Sequence, residues 1–324
     1  MSRVFVIPGL VTEAFKPHML HAEDRVWLEK NCYIDICIEV VHALGLEPLA
    51  MLGFVTAIDF EGDQWTFFKP PHDELRELYA LDFQELNVWR PLSAHVQEHL
   101  ANGKLVSTEA DAFWLPDTAG TDYQRQHTKT TIVIQDFDLE KRRLGYFHNA
   151  GYFALEGEDF AQLFRVGFPH DPTFMPLFAE LVHVRRVVRR PEDELRDQAR
   201  GLLRKHLARR PAEDPVARFA KRFAADLTWI TGEGLAFYHA WAFATVRQLG
   251  AAAELAQLHV EWLGDAALAP AAASFAAVSQ SAKAFILKAA RAVNAKRALD
   301  AAPMFDEMAA AWRAGLDTLA ARLP

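Results

Sequence analysis

The chain has 324 residues, of which 51% are apolar and 24% charged, a composition typical of folded globular proteins. Its formal net charge of −8 argues against general nucleic-acid binding. The only cysteines, Cys32 and Cys37, are too few for a disulfide framework or a Cys-based zinc site. No run is apolar enough to span a membrane and the first residues lack the features of a signal peptide, so we expect a cytoplasmic protein.

The composition and the predicted secondary structure of the sequence change about halfway along the chain. The first half mixes β-type runs with helical ones and is acidic, whereas the second is rich in Ala, Leu and Arg and predicts consecutive helices. We therefore predict an α+β domain over residues 1–167 and an all-helical domain over residues 168–324. Phe168–Pro172, with its two prolines, is the predicted joint.

The two cysteines fall on one predicted helix that begins after Asn31, a favoured N-cap residue, and ends at Gly45. Cys37 lies on the apolar stripe of this helix, which predicts a buried thiol. Cys32 lies off the stripe in the first turn, where backbone N–H groups and the helix dipole favour a thiolate. The alternative for Cys32 is a small side chain packed beneath a loop.

Residues His95-Val-Gln-Glu-His99 match the H-x-x-E-H pattern of inverted zinc peptidases. On a helix the two histidines lie one turn apart, a spacing suited to zinc, with Glu98 as a general base. A five-residue match is weak evidence, and no later motif supplies a third ligand. Zinc hydrolysis is therefore kept as an alternative.

A predicted β-hairpin follows, with strands from Gln126 to Asp138 and from Leu144 to Asn149 and a turn centred near residues 138–140. This register places His127 beside Asn149. An amide partner fixes the tautomer of an imidazole and orients it toward a nucleophile. His148 points to the opposite face of the strand and is the lesser candidate.

The start of the second half carries a cationic strip in which Arg196, Arg200 and Arg204 share one helix face. Such a surface would steer an acidic partner protein. The alternative is a solvated helix surface, ion-paired with neighbouring acidic residues.

The order Cys32, His127, Asn149, with the thiol at a helix start and the other two on a later sheet, resembles the papain-like cysteine fold. The likeness is greatest to its bacteriocin-leader-peptidase branch, and within that to the N-terminal domain of the butirosin-pathway carrier-protein-dependent acyltransferase. Val106–Pro116, with Asp111 and Trp114, carries the more specific part. The chain also looks like a member of a bacterial family encoded near amino acid:carrier-protein ligases.

The resemblance implies an acyltransferase that takes an acyl or aminoacyl group from a carrier-protein thioester onto Cys32 and passes it to a small amine or hydroxyl acceptor. His127, held by Asn149, would move the protons, and the phosphopantetheine would belong to the partner, so we expect no cofactor in this chain. Two departures from the peptidase pattern, Val26 in place of a Gln and Tyr33 in place of a Gly, favour transfer over proteolysis.

The remaining roles follow from the same resemblance. Asn31 or a backbone amide would complete the oxyanion hole, because no Gln precedes the cysteine. Asp111 would hold an ammonium group, or else be a solvated carboxylate, and Trp114 would wall the pocket, or else be a core aromatic. The alternatives for the whole chain are a thioesterase, amidase or cysteine peptidase at the same site, and a binding module without catalysis.

Overall fold

The structure, a computed structural model, describes residues 3–169, 171 and 173–323. It divides into two compact units. The sheet unit comprises the residues up to Glu23, Asn31–Pro48 and Pro71–Arg189, and the helical unit comprises Asp24–Lys30, Leu49–Pro70 and the residues from Arg190 onward.

The sheet unit is mixed α/β and the long C-terminal part of the chain is helical, as the texture of the sequence predicts. The division falls between Arg189 and Arg190 rather than after residue 167, because a strand at residues 179–183 returns to the sheet. The predicted joint includes His170 and Pro172, which lie outside the described residues.

Within the part of the chain that the structure describes, the sheet has seven antiparallel strands in the order β2-β7-β3-β4-β5-β6, with β1 paired to β4 off this path. The strands are β1 Val4–Phe5, β2 Asp82–Glu85, β3 Lys104–Asp111, β4 Lys129–Asp138, β5 Arg143–His148, β6 Gly151–Glu156 and β7 Ala179–His183.

Four α-helices flank the sheet: α1 Cys32–Ala43, α2 His72–Tyr79, α3 Leu92–Ala101 and α4 Glu158–Phe164. Short 3₁₀ turns occupy Thr12–Ala14, Met19–His21, Ala112–Trp114 and Pro116–Thr118. Helix α1 packs on β4, β5 and β6. On the opposite face, Ile132 and Ile134 of β4 share a buried core with residues of α3 and α4. Side chains that alternate along β4 therefore face α1 and α3 in turn.

Helix α1 begins and ends where its caps predict. Asn31 is the N-cap, and Gly45, just beyond the C-cap, has φ +70°, a left-handed conformation that suits glycine. Cys37 is 2% exposed, as predicted. Burial, however, extends from Tyr33 to Val41 without a break, so α1 is a central helix rather than one with a single buried stripe.

Two carboxylates of α1, Asp35 and Glu39, are fully buried beside His21. His21 Nε2 lies 3.0 Å from Asp35 Oδ1, and its Nδ1 contacts Glu39 Oε1. Glu39 also accepts the His18 N–H at 3.0 Å. Because both ring nitrogens face carboxylate oxygens, the arrangement suits an imidazolium held between two anions.

The helical unit consists mainly of long helices that begin with proline or a short polar cap. Their bounds are α5 Glu192–Ala208, α6 Pro215–Glu233, α7 Leu235–Ala244, α8 Val246–Trp262, α9 Ala269–Asn294 and α10 Ala302–Arg322, with 3₁₀ segments at Pro48–Ala57 and Ala266–Leu268. Phe219, Phe223, Trp241, Phe285 and Phe305 form an aromatic core with neighbouring ring centroids 4.8–5.8 Å apart. Across the described residues, every helix is too short or too polar to cross a membrane.

One glycine of this unit is required by close packing. Gly250 on α8 lies against the Trp27 indole, and a Cβ at this position would also come within 2.9 Å of Ala282 Cβ. Trp27 Nε1 donates to Ser279 Oγ at 3.0 Å, which fixes the ring over the glycine.

Candidate functional site

Cys32 is the first residue of α1, and its side chain is half-buried. The Asn31 Oδ1 accepts the Tyr33 and Ile34 N–H groups at 3.1 and 3.0 Å, while the Asp35 N–H bonds to the Asn31 carbonyl at 3.1 Å. Of the first-turn amides, the one at Cys32 has no such partner among the described contacts. The Asn31 oxygen is thus a helix cap, and the Cys32 N–H is the amide best placed to meet an oxyanion.

The thiol faces the sheet at β4, where Cys32 Sγ lies 3.9 Å from Thr131 Oγ1. The β3–β4 register pairs Glu109 with Thr131 and Asp111 with Lys129. These positions share the α1 face of the sheet, and Lys129 Nζ donates to Glu109 Oε1 at 3.0 Å. With His127, these four residues form what we call the polar strip, which starts beneath Cys32 and runs outward.

His127 ends the polar strip, two residues before the first residue of β4. Its Nδ1 lies 2.6 Å from Asp111 Oδ2, and its ring stacks on Phe113 at 4.4 Å between centroids. The side chain is 69% exposed. The carboxylate that orients His127 is therefore Asp111, and the predicted pairing with Asn149 is wrong.

The error lies in the hairpin register. The turn occupies residues 139–142, so its centre lies after residue 138, the centre that would pair His127 with Asn149. Moving the centre of a hairpin by one residue changes the partner of each strand residue by two positions. The observed register pairs Val133 with Phe147, after a bulge near Gln135. Asn149 lies beyond this ladder, directly after the last residue of β5. Asn149 has φ +44° in the tight turn into β6, a conformation that asparagine tolerates.

The structure places Asp111 and Trp114 together at the outer end of the strip. Asp111 Oδ1 caps the following turn by accepting the Phe113 N–H at 3.1 Å, while its Oδ2 holds His127. Trp114 is half-buried and meets Phe113 edge to face at 4.7 Å. Asp111 thus contacts His127 and caps a turn, and Phe113 contacts both the imidazole and the Trp114 ring.

A second polar cluster near the start of α1 was not predicted. Tyr33 Oη donates to Glu180 Oε2 at 2.9 Å and lies 2.9 Å from His72 Nε2. Burial, together with the nearby Cys37 and Glu180, raises the pKa of Tyr33, so the phenol stays protonated. His72 stacks on Phe83 at 4.9 Å. The cluster joins α1, α2 and β7, and only knowledge of the β7 pairing would have revealed it.

The H-x-x-E-H motif lies on α3, as its spacing requires. The rings of His95 and His99 are parallel, with centroids 6.0 Å apart, and burial lowers the pKa of each, which favours neutral imidazoles. Glu98 instead pairs with Arg90 at the surface. Among the described residues, no group of three or more metal-ligating side chains is arranged to hold a metal.

The three predicted docking arginines lie on α5, and two of them bond to backbone carbonyls of the same unit. Arg196 Nε donates to the Trp262 carbonyl at 2.9 Å, and Arg200 donates to the Leu263 carbonyl at 2.7 Å. These carbonyls end α8, where cations are favourable. Arg204 is exposed and lines a cavity of about 620 Å³ together with Arg210. Only Arg204 thus keeps the exposure that docking needs.

Two family models match the chain, and the division at Arg189–Arg190 falls between them, although the first model also covers Asp24–Lys30 and Leu49–Pro70 of the helical unit. The DUF1839 N-terminal domain matches residues 16–184, and the DUF1839 C-terminal domain matches residues 192–321. None of the curated proteins compared with the chain is similar to it. The chain therefore belongs to the DUF1839 family.

Proposed function

We propose that the chain is an acyltransferase on a papain-like fold, in which Cys32 carries the acyl group between a carrier-protein thioester and an amine or hydroxyl acceptor. The observation that carries the proposal is the half-buried Cys32 thiol, which opens α1 above the polar strip. The Cys32 amide, at the positive end of the helix, can stabilise the oxyanion.

The reaction has two balanced steps. The Cys32 sulfur loses its proton and attacks the thioester carbonyl, the bond from that carbon to the pantetheine sulfur breaks, and the pantetheine sulfur takes up the proton. The acceptor nitrogen or oxygen then attacks the Cys32 thioester, the bond to Cys32 breaks, and Cys32 recovers a proton from the acceptor. Exchange between two thioesters is nearly balanced in energy, so positioning supplies most of the catalysis.

We propose His127 as the group that moves these protons, with Asp111 in the orienting role. Their 2.6 Å contact holds the imidazole as an acid–base pair requires. Thr131 lies four positions after His127, at most about 13 Å of extended strand. Because His127 precedes β4 and is 69% exposed, the proposal requires the segment before β4 to bring the imidazole toward Cys32 when substrate binds.

Intact-mass spectrometry with acetyl and glycyl thioesters of pantetheine tests the proposal. Wild type and Cys37→Ala should each gain the mass of one acyl group, and Cys32→Ala should gain none. An adduct that persists in Cys32→Ala, or no adduct in wild type with either thioester, would refute a Cys32 acyl-enzyme. Release of free acid in the presence of amines would instead identify a hydrolase.

His127→Gln tests the base separately. Acyl-enzyme formation should slow by about a hundredfold or more, within the range of general acid–base catalysis. Lys129→Gln, on the same strip but without an acid–base role, is the matched control and should change the rate little. An unchanged rate in His127→Gln would remove His127 from the reaction while leaving Cys32 as the nucleophile.

The carrier protein would meet Arg204 through its acidic surface. Arg204→Glu should raise the KM for an acylated carrier protein but not the KM for the small pantetheine thioester, which lacks a protein surface. An equal change in KM for both substrates, or no change in KM for either, would exclude Arg204 from docking.

A further inference from the structure

A buried polar network lies behind the polar strip, on the opposite face of the sheet. His148 Nδ1 lies 2.5 Å from Asp117 Oδ2, and His148 Nε2 lies 2.8 Å from Thr130 Oγ1. The other Asp117 oxygen accepts the Tyr146 hydroxyl. The His148 and Asp117 side chains are 2% and 6% exposed. A hydroxyl, an imidazole and a carboxylate are thus linked in one chain within the core.

One assignment of protons satisfies the whole network. Tyr146 O–H and His148 Nδ1–H both donate to Asp117, and Thr130 O–H donates to His148 Nε2. In this assignment both imidazole nitrogens have a hydrogen-bond partner. A substrate has no evident approach to Thr130, which is 7% exposed, so this hydroxyl is poorly suited to act as a nucleophile. A satisfied buried network instead rigidifies the elements that it joins.

The elements joined here are the ends of β4 and β5 beneath Cys32. Thr130 is followed by Thr131, which contacts the thiol. Neighbouring residues of a strand face opposite sides of the sheet, so fixing Thr130 through His148 also fixes Thr131 below the thiol.

We infer that His148, held between Asp117 and Thr130, is a positioning residue that sets Thr131 under Cys32. The inference rests on the proposed function only in treating Cys32 as the reacting group. It assigns a role to a histidine on the face away from the thiol, which takes no part in the proposed chemistry.

Thr130→Val removes the hydroxyl at nearly constant shape, and Thr130→Ser restores it. In a Cys37→Ala background, Thr130→Val should slow Cys32 acylation by pantetheine thioesters about tenfold or more. The reason is that Thr131 would no longer be held in place against the thiol. The same change should speed alkylation by iodoacetamide, which needs exposure rather than orientation. Thr130→Ser should return both rates toward wild type.

Val96→Ala, a cavity in the α3 side of the same core, is the control for lost stability. It should leave both rates unchanged at a temperature where all variants are folded. Equal effects of Val96→Ala and Thr130→Val, or wild-type rates in Thr130→Val, would overturn the inference. If wild type forms no acyl-enzyme, the proposed function fails, and the alkylation rates alone still decide the role of His148.

Discussion

Two histidine–carboxylate contacts in the sheet unit differ sharply in burial, and this difference predicts their contributions to stability. His21 is enclosed with Asp35 and Glu39, and all three side chains have zero exposure. Replacing His21 with Leu removes the imidazole that contacts both buried carboxylates. Removal of one partner from a buried ion pair costs about 3–5 kcal/mol, so the free energy of unfolding should fall by that amount.

His127→Leu is the matched control, because it also removes an imidazole from a carboxylate. The His127 and Asp111 side chains are 69% and 36% exposed, and such surface pairs contribute about 0–1 kcal/mol. For a unit of this size, 1 kcal/mol corresponds to roughly 2–4 °C in Tm. The loss at His21 should therefore lower Tm by about 6–20 °C, and the loss at His127 by less than about 4 °C.

Thermal and urea unfolding followed by circular dichroism measures both variants. If His21→Leu does not fold, the triple variant with Asp35→Asn and Glu39→Gln removes the buried charges and should recover the fold. Equal shifts for the His21 and His127 variants, or a triple variant less stable than His21→Leu alone, would refute the buried imidazolium.

Three further predictions concern other residues. Iodoacetamide should label one thiol of the native protein and none in Cys32→Ala, because Cys37 is 2% exposed; labelling of Cys37 in folded protein would contradict this burial. Burial lowers the pKa of His259 from 6.5 to about 4. Between pH 6.5 and pH 4 the unfolded chain therefore binds more protons than the folded one, and the free energy of unfolding should fall by roughly 3 kcal/mol as the pH drops through this range. In urea unfolding at pH 7 and pH 4.5, His259→Leu should show a smaller loss, whereas an identical pH slope would refute the assignment. The double variant Arg196→Glu, Arg200→Glu should lower the free energy of unfolding of the helical unit by about 1–3 kcal/mol, because it removes the bonds to the carbonyls at the end of α8. Arg204→Glu should change that free energy by less than about 0.5 kcal/mol. Equal losses for the two variants in chemical denaturation would contradict the structural role of Arg196 and Arg200.

Signals within one stretch of sequence were sufficient to predict α1, the helix that carries the Cys32 thiol. The Asn31 cap, the apolar spacing and Gly45 are all within one stretch of chain, and they locate α1 and separate Cys32 from the buried Cys37. Capping depends on backbone amides within one turn, so no distant contact was needed to read it. The change in composition likewise indicated a mixed unit followed by helices.

Contacts between distant strands were the part that sequence alone did not reveal. The partner of His127 depends on the pairing of β3 with β4, and the place of Asn149 depends on a turn and a bulge. Polar residues at alternate positions, Glu109 and Asp111 on one strand and His127, Lys129 and Thr131 along the other, were the signal that would have indicated the strip. The return of β7 to the sheet, which brings Glu180 to Tyr33, left no comparable pattern.

The central claim is that an acyl group passes through the Cys32 sulfur, and a single-turnover mass measurement tests it most directly. Wild type is mixed with a glycyl thioester of pantetheine and then chased with a small amine. The proposal predicts one acyl mass on the peptide that contains Cys32, lost after the chase at the rate at which the amide appears. Amide formation at the same rate in Cys32→Ala, or with no acyl group on that peptide, would contradict it.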